Sequence, residues 1–112
     1  MSGKLDIEIE QGASFSRLIT ITDADNNPVD ISGDTFAGQV RKHPKQDIIE
    51  GAFTFQFHTD GTDGKIVILM DNETTASMTY GKCVYDIEWT KSSGTVVRLL
   101  EGAINVTPEV TR

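Results

Sequence analysis

Apolar and polar residues alternate along most of this chain with a period of two, the spacing of strands that bury one face and wet the other. Leu5, Ile7 and Ile9 alternate with Lys4, Asp6, Glu8 and Glu10, which predicts an opening strand. Residues 14–22 predict a second, in which Phe15, Arg17, Ile19 and Ile21 oppose Ser16, Leu18, Thr20 and Thr22. Arg17 interrupts the apolar side of that strand and marks a bulge or an edge position. Residues 23–28 then break the chain, because their Asp, Asn and Pro residues each favour turn geometry. A third strand follows over 35–42, with Phe36, Gly38 and Val40 on one side, and His43 and Pro44 end it.

The clearest alternation sets Phe53, Phe55 and Phe57 against Ala52, Thr54, Gln56 and His58, which assigns three phenylalanines to the core. Gly61 and Gly64 supply a hairpin turn, and the apolar run 66–70 is the returning strand. Residues 71–78 lose the alternation and offer Asp71 or Asn72 as an N-cap, which predicts a turn or two of helix closed by Tyr80 and Gly81. Cys83, Tyr85, Ile87 and Trp89 then alternate with polar neighbours, and a turn at 91–94 leads into a last strand over 95–107. Val97 and Leu99 keep one parity in that strand and Leu100, Gly102, Ile104 and Val106 the other, so a β-bulge near Leu99 and Leu100 is required to bring both sets inward. Trp89 opposite Val97 places it between the sheets and sets Glu88 against Arg98 on the wet side, an exposed pair worth about 0.2–1 kcal/mol.

About seven such strands, with one short helix before the penultimate strand, predict an all-β fold, an immunoglobulin-like antiparallel β-sandwich. A small open barrel is the alternative. The chain has 112 residues and shows no linker, fixed-period repeat or low-complexity segment, so a single domain over residues 1–112 is expected. Residues 107–112 form an extended tail expected to run past any core contact. Edge strands expose unpaired amides that are either protected or used. The opening strand and the tail are therefore the candidate interface, carried by Leu5, Ile7, Pro108, Glu109, Val110 and Arg112.

Four segments carry a family likeness. They are Ile7-Glu8-Ile9-Glu10-Gln11-Gly12-Ala13-Ser14-Phe15 at the start, Asn27-Pro28-Val29-Asp30-Ile31, Gly81-Lys82-Cys83-Val84-Tyr85-Asp86-Ile87-Glu88, and the closing run from Arg98-Leu99-Leu100-Glu101-Gly102 to Pro108-Glu109-Val110-Thr111-Arg112. Together they resemble small virion-associated proteins of tailed bacteriophages, nearly end to end. The likeness is one of strands and turns rather than of a reactive motif. It implies a non-enzymatic structural subunit, placed in the tail, baseplate or fibre-attachment region, where immunoglobulin-like domains serve as adaptors and spacers. Its implied partners are other phage virion proteins, with several copies or a homo-oligomer in each particle. A head-decoration or neck position is the alternative within that family.

Charge narrows the partners further. A formal charge of −7 disfavours nucleic acid and anionic membranes, both of which reward clustered Lys and Arg. The one basic run, residues 41–45, reads as a solvated loop. No stretch approaches the roughly 20 apolar residues of a membrane span, and Met1 leads within a few residues into an alternating strand. Assembly in the host cytoplasm, followed by residence in the virion, is the expected localisation.

Candidate chemistry is sparse, and neither a catalytic set nor a cofactor is expected. His43 lies in the basic loop and His58 on a polar strand face. Cys83, the single cysteine, shares parity with Tyr85, Ile87 and Trp89, and burial there makes a thiol inert. Asp86 and Glu88 share one exposed strand face, where they remain ordinary solvated acids. Asp23, Asp25 and Asn27 follow the one-three-five spacing of a calcium loop, with Asp34 at the twelfth place. Pro28 stands where that loop needs glycine and no helices flank it, so a plain turn is expected. A glycan-binding module is the reading from a different class; it needs exposed aromatics, and Tyr80 is the one expected to be exposed.

Overall fold

The computed structural model describes residues 3–45 and 48–110. In chain order its elements are β1 (Gly3–Lys4), β2 (Ile7–Glu10), β3 (Phe15–Thr20), β4 (Thr35–Arg41), β5 (Gly51–Phe57), β6 (Lys65–Met70), α1 (Asn72–Ser77), β7 (Gly81–Thr90) and β8 (Val96–Thr107). Each predicted strand is present. The opening one comes in two pieces, β1 and β2, which keep a single register against β8, Gly3 opposite Leu100 and Ile7 opposite Ile104.

The strands run in the order β1-β8-β7-β4-β5-β6-β3, with β2 also on β8. One curled sheet folds over on itself because β5 changes neighbour: Gly51 to Phe53 pair with β4, and Thr54 to Phe57 pair with β6. The result is an immunoglobulin-like sandwich, with β1/β2, β8, β7 and β4 in one layer and β5, β6 and β3 in the other. All pairings are antiparallel except those of β1 and β2, which run parallel to β8. Alternation records which side of a strand is wet and carries no information about strand direction.

Inward-facing residues of both layers form the core. Ile9, Val40, Ile68, Cys83, Ile87 and Ile104 are each at most 1% exposed. The bulge lies where parity requires it: Ile87 pairs with Leu100 and Glu88 with Arg98, leaving Leu99 as the extra residue, and Trp89 faces Val97. Arg17 sits on β3, an edge strand opposite Ile68 of β6, so its charge marks an edge rather than a bulge. The ion pairs of Arg98 run to Asp86 at 3.4 Å and Glu101 at 3.8 Å rather than to Glu88 directly across the ladder.

Helix α1 starts at Asp71, whose carboxylate accepts the Thr74 amide at 2.8 Å. The helix is short, yet it fixes the turn after β2. The buried Thr75 hydroxyl donates to the Ala13 carbonyl at 2.9 Å and accepts the Gly12 amide at 3.1 Å.

Trp89 departs from its expected place. It is half-buried at one end of the sandwich, near the end of β7, rather than enclosed between the sheets. In the described part of the tail, Glu109 is half-buried and its amide donates to the Gln11 side-chain carbonyl at 3.0 Å.

Candidate functional site

The opening strand and the segment after β8 meet at one edge of the molecule. Leu5 lies in the break between β1 and β2, where its amide donates to the Glu101 carbonyl at 3.1 Å. Its own carbonyl leaves the ladder and accepts the Tyr85 hydroxyl at 2.5 Å. The Asp6 carboxylate fills the vacated place by accepting the Ala103 amide at 3.1 Å. The chains come so close here that a Cβ on Gly102 would fall on the Leu5 carbonyl oxygen. The side chain of Ile7 is 4% exposed and belongs to the core, so β2 offers a partner its outer backbone edge and the exposed Glu8 and Glu10.

Gln11 clamps the tail to this edge. Its side-chain amide donates to the Met78 carbonyl at 2.7 Å while its carbonyl takes the Glu109 amide. Gly12, at φ 81°, has the Glu109 carboxylate where a side chain would begin, 2.6 Å from an ideal Cβ. Pro108 is exposed and Val110 is 92% exposed, whereas Glu109 between them faces the domain. Arg112, the last candidate interface residue, lies outside the described residues.

The calcium candidates are drawn into separate uses. Asp23 accepts the amides of Asp25 and Asn27 at 2.9 and 3.0 Å, a side-chain turn closed by Asn26 at φ 65°. Asp34 is turned elsewhere: it accepts the Trp89 indole N–H at 2.8 Å and the Ser92 amide at 2.9 Å. Among the described residues, no group of three or more His, Cys, Asp or Glu is gathered for a metal. The neighbouring loops repeat the side-chain turn, with Asp30 bonded to the Ser32 hydroxyl and amide and Asp60 to those of Thr62. These bonds, the hydroxyl's first, hold both carboxyls below the usual carboxylate range.

Among the described residues the ionisable groups do not assemble into a reactive set. Burial pushes the Cys83 thiol up, against a smaller pull from Lys42, which leaves it protonated at neutral pH. His58 Nδ1 stands 3.2 Å from Asp63 on the surface, and His43 lies exposed in its loop. Asp86 pairs with Arg98, and Glu88 is exposed. The outer face of the β8-β7-β4 layer holds a shallow cleft of about 480 Å3 lined by charges of both signs, among them Lys4, Asp6, Arg41, Asp86, Arg98 and Glu101.

The aromatic residues form a chain through one side of the sandwich. Trp89 stacks on Phe36 at 6.2 Å with the rings 14° apart, Phe36 leans on Phe55 at 5.9 Å, and the Lys91 ammonium lies 5.0 Å from the Trp89 ring centre. Between β4 and β5 this side opens into a cleft of about 450 Å3 lined by Phe36, Phe53, Phe55, Phe57 and Ile66. Sequence pattern assigned Phe53, Phe55 and Phe57 to the core. It gave no sign of the opening, because the opening arises where β5 changes neighbour and the side-chain parity runs through that point undisturbed.

No protein-family model matches the chain, and no curated protein matches it in sequence. Among solved structures it is similar to a mutant of the SrpA adhesin from Streptococcus sanguinis, with a TM-score of 0.51 and 12% identity over 92% of this chain and 55% of that one. It thus spans about half the length of the adhesin chain it matches. A second likeness is to AggA, the major subunit of aggregative adherence fimbriae type I from Escherichia coli, at 13% identity over 95% and 91% of the two chains; its TM-score of 0.36 is too low to carry an argument. Neither is a phage protein. At such identities the likeness shows the fold alone, an immunoglobulin-like all-β domain.

Proposed function

We propose that this chain is a non-enzymatic structural subunit of a tailed-phage particle, in its tail, baseplate or fibre-attachment region, where it is present in several copies and acts through protein–protein contacts. One observation carries the reading. The two longest segments of the phage-protein likeness, residues 7–15 and 98–112, are far apart in sequence and joined in the fold, by the β2–β8 ladder and by the Gln11 clamp on Glu109. The likeness therefore follows one physical unit at an exposed edge. The dispersal of the ionisable groups among the described residues agrees with a role without catalysis. A glycan-binding role has less support, since Tyr80 at 64% is the one aromatic exposed among the described residues and Trp89 is already engaged by Phe36, Asp34 and Lys91.

Quantitative mass spectrometry of purified particles tests the proposal. The chain should be found at a fixed copy number, low for a baseplate or fibre position and in the hundreds for the capsid. Its absence from particles that contain the other structural proteins would refute it.

A further inference from the structure

The cleft beside β4 has the form of a strand-accepting groove. From Thr54 onward β5 pairs with β6, so Thr35, Phe36 and Ala37 of β4 have β7 on one side and, among the described residues, no strand on the other. Phe55 and Phe57 line the gap and are only half-buried although they keep core parity. An open backbone edge beside an apolar groove is what an added strand satisfies: its main chain bonds to the edge and its alternate side chains enter the groove.

The chain itself carries a segment of that kind. Pro108 and Val110 stand two residues apart, so in an extended chain both point to one side, and the contact of Glu109 with its own domain leaves those two outward. Val110 has the highest exposure of the large apolar side chains described. Direction favours exchange between copies. Strand β4 is antiparallel to β7, and β7 to β8, so β4 begins at the end of the 43 Å molecule opposite to that from which the tail leaves.

We infer that residues 108–110 of one copy add as a short strand to the Thr35–Ala37 edge of the next, with Pro108 and Val110 against the phenylalanines. The inference rests on the reading of the chain as a multi-copy subunit. Repeated from copy to copy, a head-to-tail contact of this kind builds a ring or a filament.

The probe is a synthetic peptide of residues 105–112 titrated into the full chain. The readout is the fluorescence of Trp89, the sole tryptophan, which stacks on Phe36 at the wall of the cleft. A saturable change is expected, and a Val110→Asp peptide should bind about tenfold more weakly, the effect of losing one buried valine. In the whole protein Val110→Asp, at a site outside the core, should reduce concentration-dependent sedimentation while leaving Tm unchanged. No saturable signal, equal binding by the Val110→Asp peptide, or unaltered sedimentation would each overturn the inference. Equal binding of an unrelated apolar peptide would give the groove to another protein's strand and overturn it too. Particle mass spectrometry reports separately on the phage assignment, so the two can fail independently.

Discussion

The Tyr85 hydroxyl donates to the Leu5 carbonyl at 2.5 Å across 80 residues of sequence, and that bond explains why the opening strand is broken. With its carbonyl turned inward, Leu5 cannot complete the parallel ladder, and the Asp6 carboxylate replaces it at the Ala103 amide.

Tyr85 therefore has a measurable pH signature. Burial, reinforced by Asp6 and opposed by Arg17, pushes its pKa up to about 12 from an ordinary 10.0. A raised folded-state pKa means that the contribution is complete below pH about 10 and is lost as pH rises from about 10 toward 12, because the unfolded chain releases the proton first. Denaturant unfolding should show stability falling over that window. Tyr85→Phe should lose about 1–2 kcal/mol at neutral pH, since the Leu5 carbonyl is left without its donor, and should flatten the alkaline decline. A variant with an unchanged alkaline decline would assign that decline to other groups.

Gly102 is the position least able to accept a side chain. An alanine there would meet the Leu5 carbonyl and lie 3.2 Å from the Asp6 carboxylate, so Gly102→Ala should destabilise by about 1–3 kcal/mol. Amide exchange at residues 103–105, where β2 and β8 pair, should accelerate more than exchange in β6. Wild-type stability in Gly102→Ala would mean that the opening strand is loosely held.

Asp34 binds two distant groups at once, the Trp89 indole and the Ser92 amide. Asp34→Ala should cost about 1–2 kcal/mol and shift Trp89 fluorescence to the red as the ring loosens. Trp89→Ala should cost about 2–3 kcal/mol, less than for an enclosed tryptophan because the ring is only half-buried. Differential scanning calorimetry separates these magnitudes.

Calcium should leave Tm unchanged. Asp23 already accepts two amides and Asp34 is committed to Trp89. A bound ion would add RT ln(1 + [L]/Kd), about 2.7 kcal/mol at a hundredfold excess over Kd. A calcium-dependent rise in Tm abolished by Asp25→Ala would contradict the turn assignment.

What the sequence made legible follows from what alternation encodes. It locates strands and counts parity, so the bulge at Leu99 and the pairing of Trp89 with Val97 are legible in the sequence alone. It does not encode neighbours or direction. The parallel course of β1 and β2, the change of partner within β5 and the cleft that results lay beyond it for that reason. Long-range polar bonds were equally hidden: nothing local joins Asp34 to Trp89 or Gln11 to Glu109.

Removal of residues 108–112 tests most directly whether this sandwich works by docking within a particle. The shortened chain loses the Gln11–Glu109 bond, worth about 1 kcal/mol, and should still melt cooperatively, since none of the described tail residues belongs to the core. Its copy number in purified particles should fall severalfold relative to the full chain. Particles that contain the shortened chain at the normal copy number would contradict the proposed role of this edge.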